Sequence, residues 1–119
     1  MMRLGKLLNE LDRFYEHKTI SMKDGYVLLP YFHSYRGDYC LLAIDYAIKS
    51  DEEFTVREFK NVLHKALEKG TMQGYKGGDY RIHNNTDVVI AQYGDSGGFF
   101  IGEFIEREDD VYMATGEID

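Results

Sequence analysis

Apolar residues recur along this chain with two spacings, one typical of helices and one typical of strands. Residues 3–16 carry apolar side chains three and four positions apart, which places them on one face of a helix. Residues 56–69 repeat that spacing. The predicted buried stripes are Leu4, Leu7, Leu8, Leu11 and Phe14 in the first helix, and Phe59, Val62, Leu63, Ala66 and Leu67 in the second.

The second predicted helix has signals at both of its ends. Thr55 precedes the helix as a capping residue, and Glu58 lies three positions later, where the two side chains complete a capping box. Phe54 and Phe59 occupy the positions of a hydrophobic staple across the first turn. Gly70 is a natural helix stop, because glycine readily adopts the left-handed conformation that ends many helices.

Short runs of β-branched and aromatic residues predict the strands, and small polar residues predict the turns. The predicted strands are 26–32, 39–45, 87–93, 98–105 and 111–115, with the last one at an edge of the sheet. The order α-β-β-α-β-β-β predicts a single α+β domain, an antiparallel β-sheet with two helices on one face. The recurrence of helix, glycine-containing loop and strand also suggests an internal duplication.

Negative charge is concentrated at the end of the chain. The net charge is −7, and residues 103–119 hold seven acidic residues against one arginine, so this stretch carries −6 of it. The chain is therefore divided into an α+β domain at 1–105 and an acidic segment at 106–119. Binding to duplex nucleic acid is not expected, because it requires a cationic surface that displaces counterions.

The composition also predicts the cellular compartment. No apolar run approaches the roughly 18 residues of a membrane-spanning helix, and the first residues lack the apolar segment of a secretion signal. The single cysteine, Cys40, cannot form an internal disulfide. These features predict a cytoplasmic protein without membrane contact.

A short motif occurs twice. Residues 34–39 read Ser-Tyr-Arg-Gly-Asp-Tyr, and residues 74–80 read Gly-Tyr-Lys-Gly-Gly-Asp-Tyr. Each copy places an aromatic residue beside a cation on a backbone that glycine makes permissive. Such a segment suits a flat anionic ligand, because the ring can stack on it and the cation can pair with phosphate or carboxylate. The competing interpretation is structural: the tyrosines pack, and Asp38 and Asp79 pair with the cations.

Residues 94–98 read Gly-Asp-Ser-Gly-Gly, the sequence around the active serine of trypsin-like proteases. Those enzymes need two β-barrels and a histidine and aspartate that activate the serine, and this chain is too short for them. Five small residues between strands are also what a hairpin loop requires. A glycine-rich loop of this kind can instead hold an anion through its amide groups and Ser96.

The candidate ligand-binding residues come from these three segments. They are Tyr35, Arg36, Gly37, Tyr75, Lys76, Gly77, Gly78, Tyr80, Tyr93 and Ser96. The four histidines show no metal-ligand spacing, and the chain contains no phosphate-loop, dinucleotide or zinc signature, so no cofactor and no metal is expected. No carboxylate pair stands out as acid and base, which favours a binding protein over an enzyme.

Taken together, the two motifs, Thr55-Val-Arg-Glu58 and Tyr93-Gly-Asp-Ser-Gly97 resemble a family of small, mostly uncharacterised proteins of tailed phages and prophages. The likeness spans roughly residues 34–97, and the chain departs from it at 17–31 and after Gly102. The resemblance implies an accessory role inside an infected bacterial cell. Small phage proteins of this kind often neutralise host defences, and the nucleotide-sequestering sponges that act against Thoeris defence offer an analogy.

Three functional hypotheses follow. The first is a non-enzymatic, homo-oligomeric binding protein that captures a small anionic nucleotide-like signal, since a small domain forms a deep pocket most easily between protomers. The second is an interaction protein whose acidic segment imitates nucleic acid on a basic host surface. The third is a small hydrolase that acts on a phosphorylated substrate through Asp38, Asp79 or Ser96.

Overall fold

The computed structural model of the protein describes residues 1–35, 41–74, 77–95 and 97–118. Its two helices are α1 (Leu4–Leu11) and α2 (Val56–Lys69). Its strands are β1 (Met2–Arg3), β2 (Thr19–Ser21), β3 (Val27–Ser34), β4 (Leu42–Ala47), β5 (Thr71–Gln73), β6 (Asp79–Arg81), β7 (Asp87–Ile90), β8 (Phe99–Glu106) and β9 (Asp110–Glu117). A short 3-10 turn covers Lys23–Gly25.

Seven of the strands form one mixed sheet. Its order is β2-β9-β8-β7-β4-β3, and β1 pairs with β7 beside this path. The predicted α+β class is confirmed, but the prediction of a purely antiparallel sheet is wrong, because β2 runs parallel to β9 and β4 runs parallel to β7. The chain between β4 and β7 includes α2 and a separate two-stranded sheet, β5-β6. This long crossover returns the chain to the sheet in its original direction.

Both helices pack on the same face of the sheet, as predicted. Leu42 and Ile44 of β4 join the main core with the helices, whereas Ala43 between them joins a smaller cluster on the opposite face. Val89 of β7 likewise faces away from the helices. This alternation is the period of two that a strand imposes on its side chains. The most buried large side chains of the core are Leu4, Leu7, Leu11, Phe54, Phe59, Leu63, Ile90 and Met113.

The second helix begins and ends as predicted. The Thr55 side chain accepts a hydrogen bond from the Glu58 amide over 3.2 Å, and the Glu58 carboxylate accepts one from the Thr55 amide over 3.2 Å. The Phe54 and Phe59 rings lie 6.0 Å apart, centroid to centroid. Gly70 ends the helix with φ +78°. The first helix is shorter than predicted, since it ends at Leu11, although Phe14 is still buried.

The polar segment at 17–25 contains a strand that the pattern did not predict. Only Ile20 is buried in β2, so the strand shows no run of alternating apolar residues. It pairs with the outer side of β9, so the predicted edge position of residues 111–115 is wrong. Residues 110–117 of the acidic segment therefore lie within the sheet, between β8 and β2.

An ion pair neutralises one of the acidic residues where β9 begins. The Arg107 guanidinium donates two hydrogen bonds of 2.6 Å to the two Asp110 carboxylate oxygens, and Ser21 donates a third over 2.8 Å. The hydrogen bonds from Arg107 are the largest cause that lowers the pKa of Asp110 from 3.8 to about 2. These contacts fix the β8–β9 hairpin to β2.

We expect Asp110→Asn to lower the free energy of unfolding at pH 7 by about 1 kcal/mol, because the ion pair is partly screened by solvent. The pKa of Asp110 is lowered in the folded protein, so its contribution is present above pH 3.8 and is lost as the pH falls towards 2. Urea denaturation at several pH values should show the two proteins converging near pH 2. A difference that is equally large at pH 2 would show that the carboxylate charge is not responsible.

Candidate functional site

Both copies of the repeated motif close an antiparallel hairpin. The first joins β3 to β4, and the Tyr35 amide donates to the Leu41 carbonyl over 2.8 Å at its base. The second joins β5 to β6, and the Gly74 amide donates to the Gly78 carbonyl over 2.9 Å. The two hairpins belong to different sheets, so the two copies of the motif differ in their place in the fold.

The structure places the two motif hairpins next to each other. The Ser34 hydroxyl, at the end of β3, donates a hydrogen bond of 2.9 Å to the carbonyl oxygen of Gln73, at the end of β5. Each of these residues lies at the point where its strand leads into a motif loop. The contact joins segments 39 positions apart in the chain. The ends of β3 and β5, which lead into the two motif loops, are thereby held together.

Tyr35 of the first hairpin and Tyr80 of the second differ in how deeply they are buried. Tyr35 is only 3% exposed and packs in the smaller cluster with Ala43, Val89 and Ala91. Its ring therefore belongs to the interior and does not offer the free face that stacking on a ligand requires. Tyr80, in β6, is partly buried and packs against the main core.

The glycines of the second motif sit in open positions. Gly77 and Gly78 have φ values of +88° and +85°, and a Cβ atom built on either residue would meet nothing within 4 Å. Glycine is therefore required by the backbone conformation and not by close packing.

The third candidate segment leaves the opposite end of the β4–β7 pair, but it begins beside the first motif: Ala91 packs with Tyr35, and its carbonyl oxygen lies 3.0 Å from Nε2 of His33. The first motif loop precedes β4, whereas the segment from 91 onwards follows β7, which runs parallel to β4. The Gln92 side chain donates to the Tyr46 carbonyl over 3.3 Å, near the end of β4. Tyr93 is 80% exposed, and its ring meets the edge of His33 at a centroid distance of 5.4 Å.

Several candidate residues fall outside the described parts of the chain. They are Arg36, Gly37, Tyr75, Lys76 and Ser96, together with Asp38 and Cys40. Their roles as cations, stacking partners and anion contacts stay predictions. The described residues Tyr35 and Leu41 bound the first motif loop, and Gly74 and Gly77 bound the part of the second that is not described.

Two cations that the sequence analysis did not select lie on the elements that carry the second motif. Lys69 ends α2 immediately before β5, and its ammonium lies 5.8 Å from the centroid of the Phe32 ring. Arg81 ends β6 and is exposed. Within the described ranges neither forms an ion pair, whereas Lys18, Lys23, Lys60 and Arg107 elsewhere all do. The sequence could have identified these two cations by their position, because both lie just outside residues 74–80, which contain the second motif.

Among the described residues, no three His, Cys, Asp or Glu side chains form a group that could hold a metal ion. In the same part of the chain, neither helix has the length and apolar character needed to cross a membrane. Comparison with protein-family models, curated proteins and solved structures found no match. The functional argument therefore depends on the geometry of the motif hairpins.

Proposed function

We propose that this protein is a non-enzymatic binding protein that captures a small anionic, nucleotide-like ligand at its two motif loops. The hydrogen bond from Ser34 to Gln73 is the observation that supports this proposal most directly. It joins the ends of the two strands that lead into the motif loops, and each motif has a cation beside an aromatic residue in its sequence. A phosphate group held by cations from both loops would gain charge-assisted hydrogen bonds, which are about twice as strong as neutral ones.

The surrounding charge supports an anionic ligand. The protein as a whole is acidic, with a net charge of −7. Lys69 and Arg81 nevertheless flank the second motif hairpin, and neither forms an ion pair with a described carboxylate. Cations at these two positions would attract a small anion to this part of an otherwise acidic surface.

The biological role that fits this site is sequestration of a nucleotide signal used in host defence. That role rests on the resemblance of the motif set to small proteins of tailed phages and prophages. It places the protein in the cytoplasm of an infected bacterial cell, as a homo-oligomer whose neighbouring protomers complete the pocket. Because Tyr35 is buried, this proposal gives the stacking role to Tyr75 and Tyr80.

Arg36→Ala and Lys76→Ala are each expected to weaken ligand binding by about tenfold or more, equivalent to 1.4 kcal/mol. Under this proposal both side chains serve the ligand and not the fold, so the melting temperature should change by no more than about 3 °C, as for substitutions that cost less than about 0.5 kcal/mol. Isothermal titration with a panel of cyclic and linear nucleotides measures the first effect, and thermal unfolding measures the second.

Lys49→Ala and Arg57→Ala are the matched controls, since both remove one exposed charge. The first motif loop lies before β4 in the chain, whereas Lys49 lies after it. Arg57 is in the first turn of α2, whereas the second motif follows the last turn of that helix. Both controls should bind normally. If Arg36→Ala and Lys76→Ala unfold the protein instead, the motif is structural. If all four variants bind alike, the proposed site is wrong.

Ligand release distinguishes sequestration from catalysis. The protein is purified from cells that produce nucleotide signals and is then denatured by heat, and the released small molecules are analysed by mass spectrometry. An unchanged nucleotide supports sequestration. A hydrolysed product supports the alternative in which Asp38, Asp79 or Ser96 acts on a phosphorylated substrate, and it would overturn the proposed function.

A further inference from the structure

The most exposed tyrosine that the structure describes lies beside the first motif. Tyr93 is 80% exposed, and its ring centroid lies 5.4 Å from that of His33, with the two ring planes at 83°. His33 immediately precedes Ser34, where the first motif begins. An open aromatic ring is therefore placed next to the strand end that leads into the first motif loop.

A tight turn determines how Tyr93 is presented. The Asp95 amide donates to the Gln92 carbonyl over 3.1 Å, which closes a four-residue turn with Tyr93 at its second position. Gly94 follows with φ +84°, the left-handed conformation that the third position of a type II turn requires. The Tyr93 side chain therefore projects into solvent from a backbone of defined conformation.

Two side chains anchor the residues before Tyr93 to the sheet. Nε2 of His33 lies 3.0 Å from the Ala91 carbonyl oxygen, and this nitrogen donates the hydrogen bond because a carbonyl oxygen can only accept. The Gln92 side chain donates to the Tyr46 carbonyl over 3.3 Å. His33 thus holds the backbone before Tyr93 and also contacts the Tyr93 ring. A ring that is held in place before binding loses little conformational entropy when a ligand stacks on it.

We propose that Tyr93 stacks on the base of the nucleotide whose phosphate the motif loops hold, so that the ligand class is base-containing nucleotides and not sugar phosphates. This inference rests on the proposed function, because the phosphate contacts belong to the motif loops. Tyr35 is buried and Tyr80 packs against the main core, whereas most of the Tyr93 ring is open to solvent. Every nucleobase has a π-face, so stacking on Tyr93 selects for the presence of a base and not for its identity.

Adenosine 5′-monophosphate (AMP) and ribose 5-phosphate test this assignment, because they share the sugar and the phosphate and differ in the base. In isothermal titration, Tyr93→Ala should weaken AMP binding about tenfold and leave ribose 5-phosphate binding unchanged. Tyr93→Phe keeps the ring and should bind both compounds as the wild type does. Arg36→Ala removes a phosphate contact of the proposed function and should weaken the binding of both.

Tyr15→Ala is the matched control. Tyr15 is 67% exposed, and its ring lies edge-on to that of His17 at a centroid distance of 5.2 Å, so it forms the same kind of pair as Tyr93 and His33. It precedes β2, which is at the opposite end of the strand order from β3. This variant should bind AMP as the wild type does.

A fluorescence experiment reports on stacking directly. The chain has no tryptophan, so Tyr93→Trp introduces a single one. AMP should quench its emission in a saturable way, and ribose 5-phosphate should not, because only the base can stack on the indole ring. Tyr15→Trp should respond to neither compound.

The outcomes separate this assignment from the proposed function. Equal AMP binding by Tyr93→Ala and the wild type, or a Tyr93→Trp protein that binds AMP without quenching, would overturn the stacking role and leave the proposed function in place. If Arg36→Ala binds AMP normally and Tyr93→Ala does not, the stacking role holds and the proposed phosphate contacts are wrong. A wild-type protein that binds neither compound would overturn both.

Discussion

Gly98→Ala is expected to lower the free energy of unfolding by about 3 kcal/mol, as overpacking inside a close-packed region does. A Cβ atom at this position would lie 2.6 Å from the Ile90 carbonyl oxygen and 3.0 Å from the Ala91 Cβ. The first of these contacts is with backbone, which cannot rotate away. The start of β8 would be pushed from the end of β7, and the hydrogen bond from the Ile118 amide to the Gly98 carbonyl would be disturbed.

Gly97→Ala provides the control for this experiment. A Cβ atom at Gly97 would meet nothing within 4 Å, and the residue does not have a positive φ. Its variant should therefore unfold within about 0.5 kcal/mol of the wild type. Urea denaturation of both variants measures the difference. If they are equally stable, the close approach of residue 98 to β7 is not a feature of the folded protein.

Truncation after Ile105 is expected to abolish cooperative unfolding altogether. It removes β9, which lies between β8 and β2 and contributes the fully buried side chains of Val111 and Met113. Two neighbouring strands would lose a partner at once. The combined loss exceeds what a domain with a total stability of about 5–15 kcal/mol can absorb. Circular dichroism and thermal unfolding measure the result, and a cooperative transition in the truncated protein would contradict it.

Truncation cannot test the alternative in which the acidic segment imitates nucleic acid, because the truncated protein is expected to unfold. Loss of activity on truncation cannot separate a nucleic-acid mimic from a ligand-binding protein, because both would unfold. A variant with Glu103→Gln, Glu108→Gln and Asp109→Asn removes three negative charges from exposed positions and leaves β9 in place. Under the ligand-binding proposal it should keep both its stability and its affinity for nucleotide. Loss of activity with an intact fold would favour the interaction protein.

The elements that the sequence predicts well are those whose causes are local. The helix α2 is bounded by contacts within a few residues, since the Thr55–Glu58 capping box and Gly70 depend on the immediate neighbourhood. Strand β2 was not predicted, because it has one buried residue and exists through its pairing with β9. The parallel pairing of β4 with β7 is also non-local. The sequence shows short strands separated by turns, which is typical of antiparallel hairpins, so it predicted an antiparallel sheet.

The candidate site also has features with local causes, which the sequence can predict, and features with non-local causes, which it cannot. Each copy of the repeated motif lies between two strands that pair as an antiparallel hairpin, and its role in ligand binding stays a prediction. The fate of Tyr35 depends on which face of the sheet it meets, and a short motif carries no information about that face. The bond from Ser34 to Gln73 likewise joins distant segments. Local sequence therefore predicts the candidate binding residues, and tertiary packing determines which of them are accessible.

The parallel pairing of β2 with β9 has a consequence for how the chain is made. Residues 19–21 obtain their partner strand only when residues 110–112 are in place. During synthesis residues 19–21 must wait until residues 110–112 have left the ribosome before this pair of strands can form. We therefore expect this pairing to form late in folding, because it closes a loop between residues 89 positions apart.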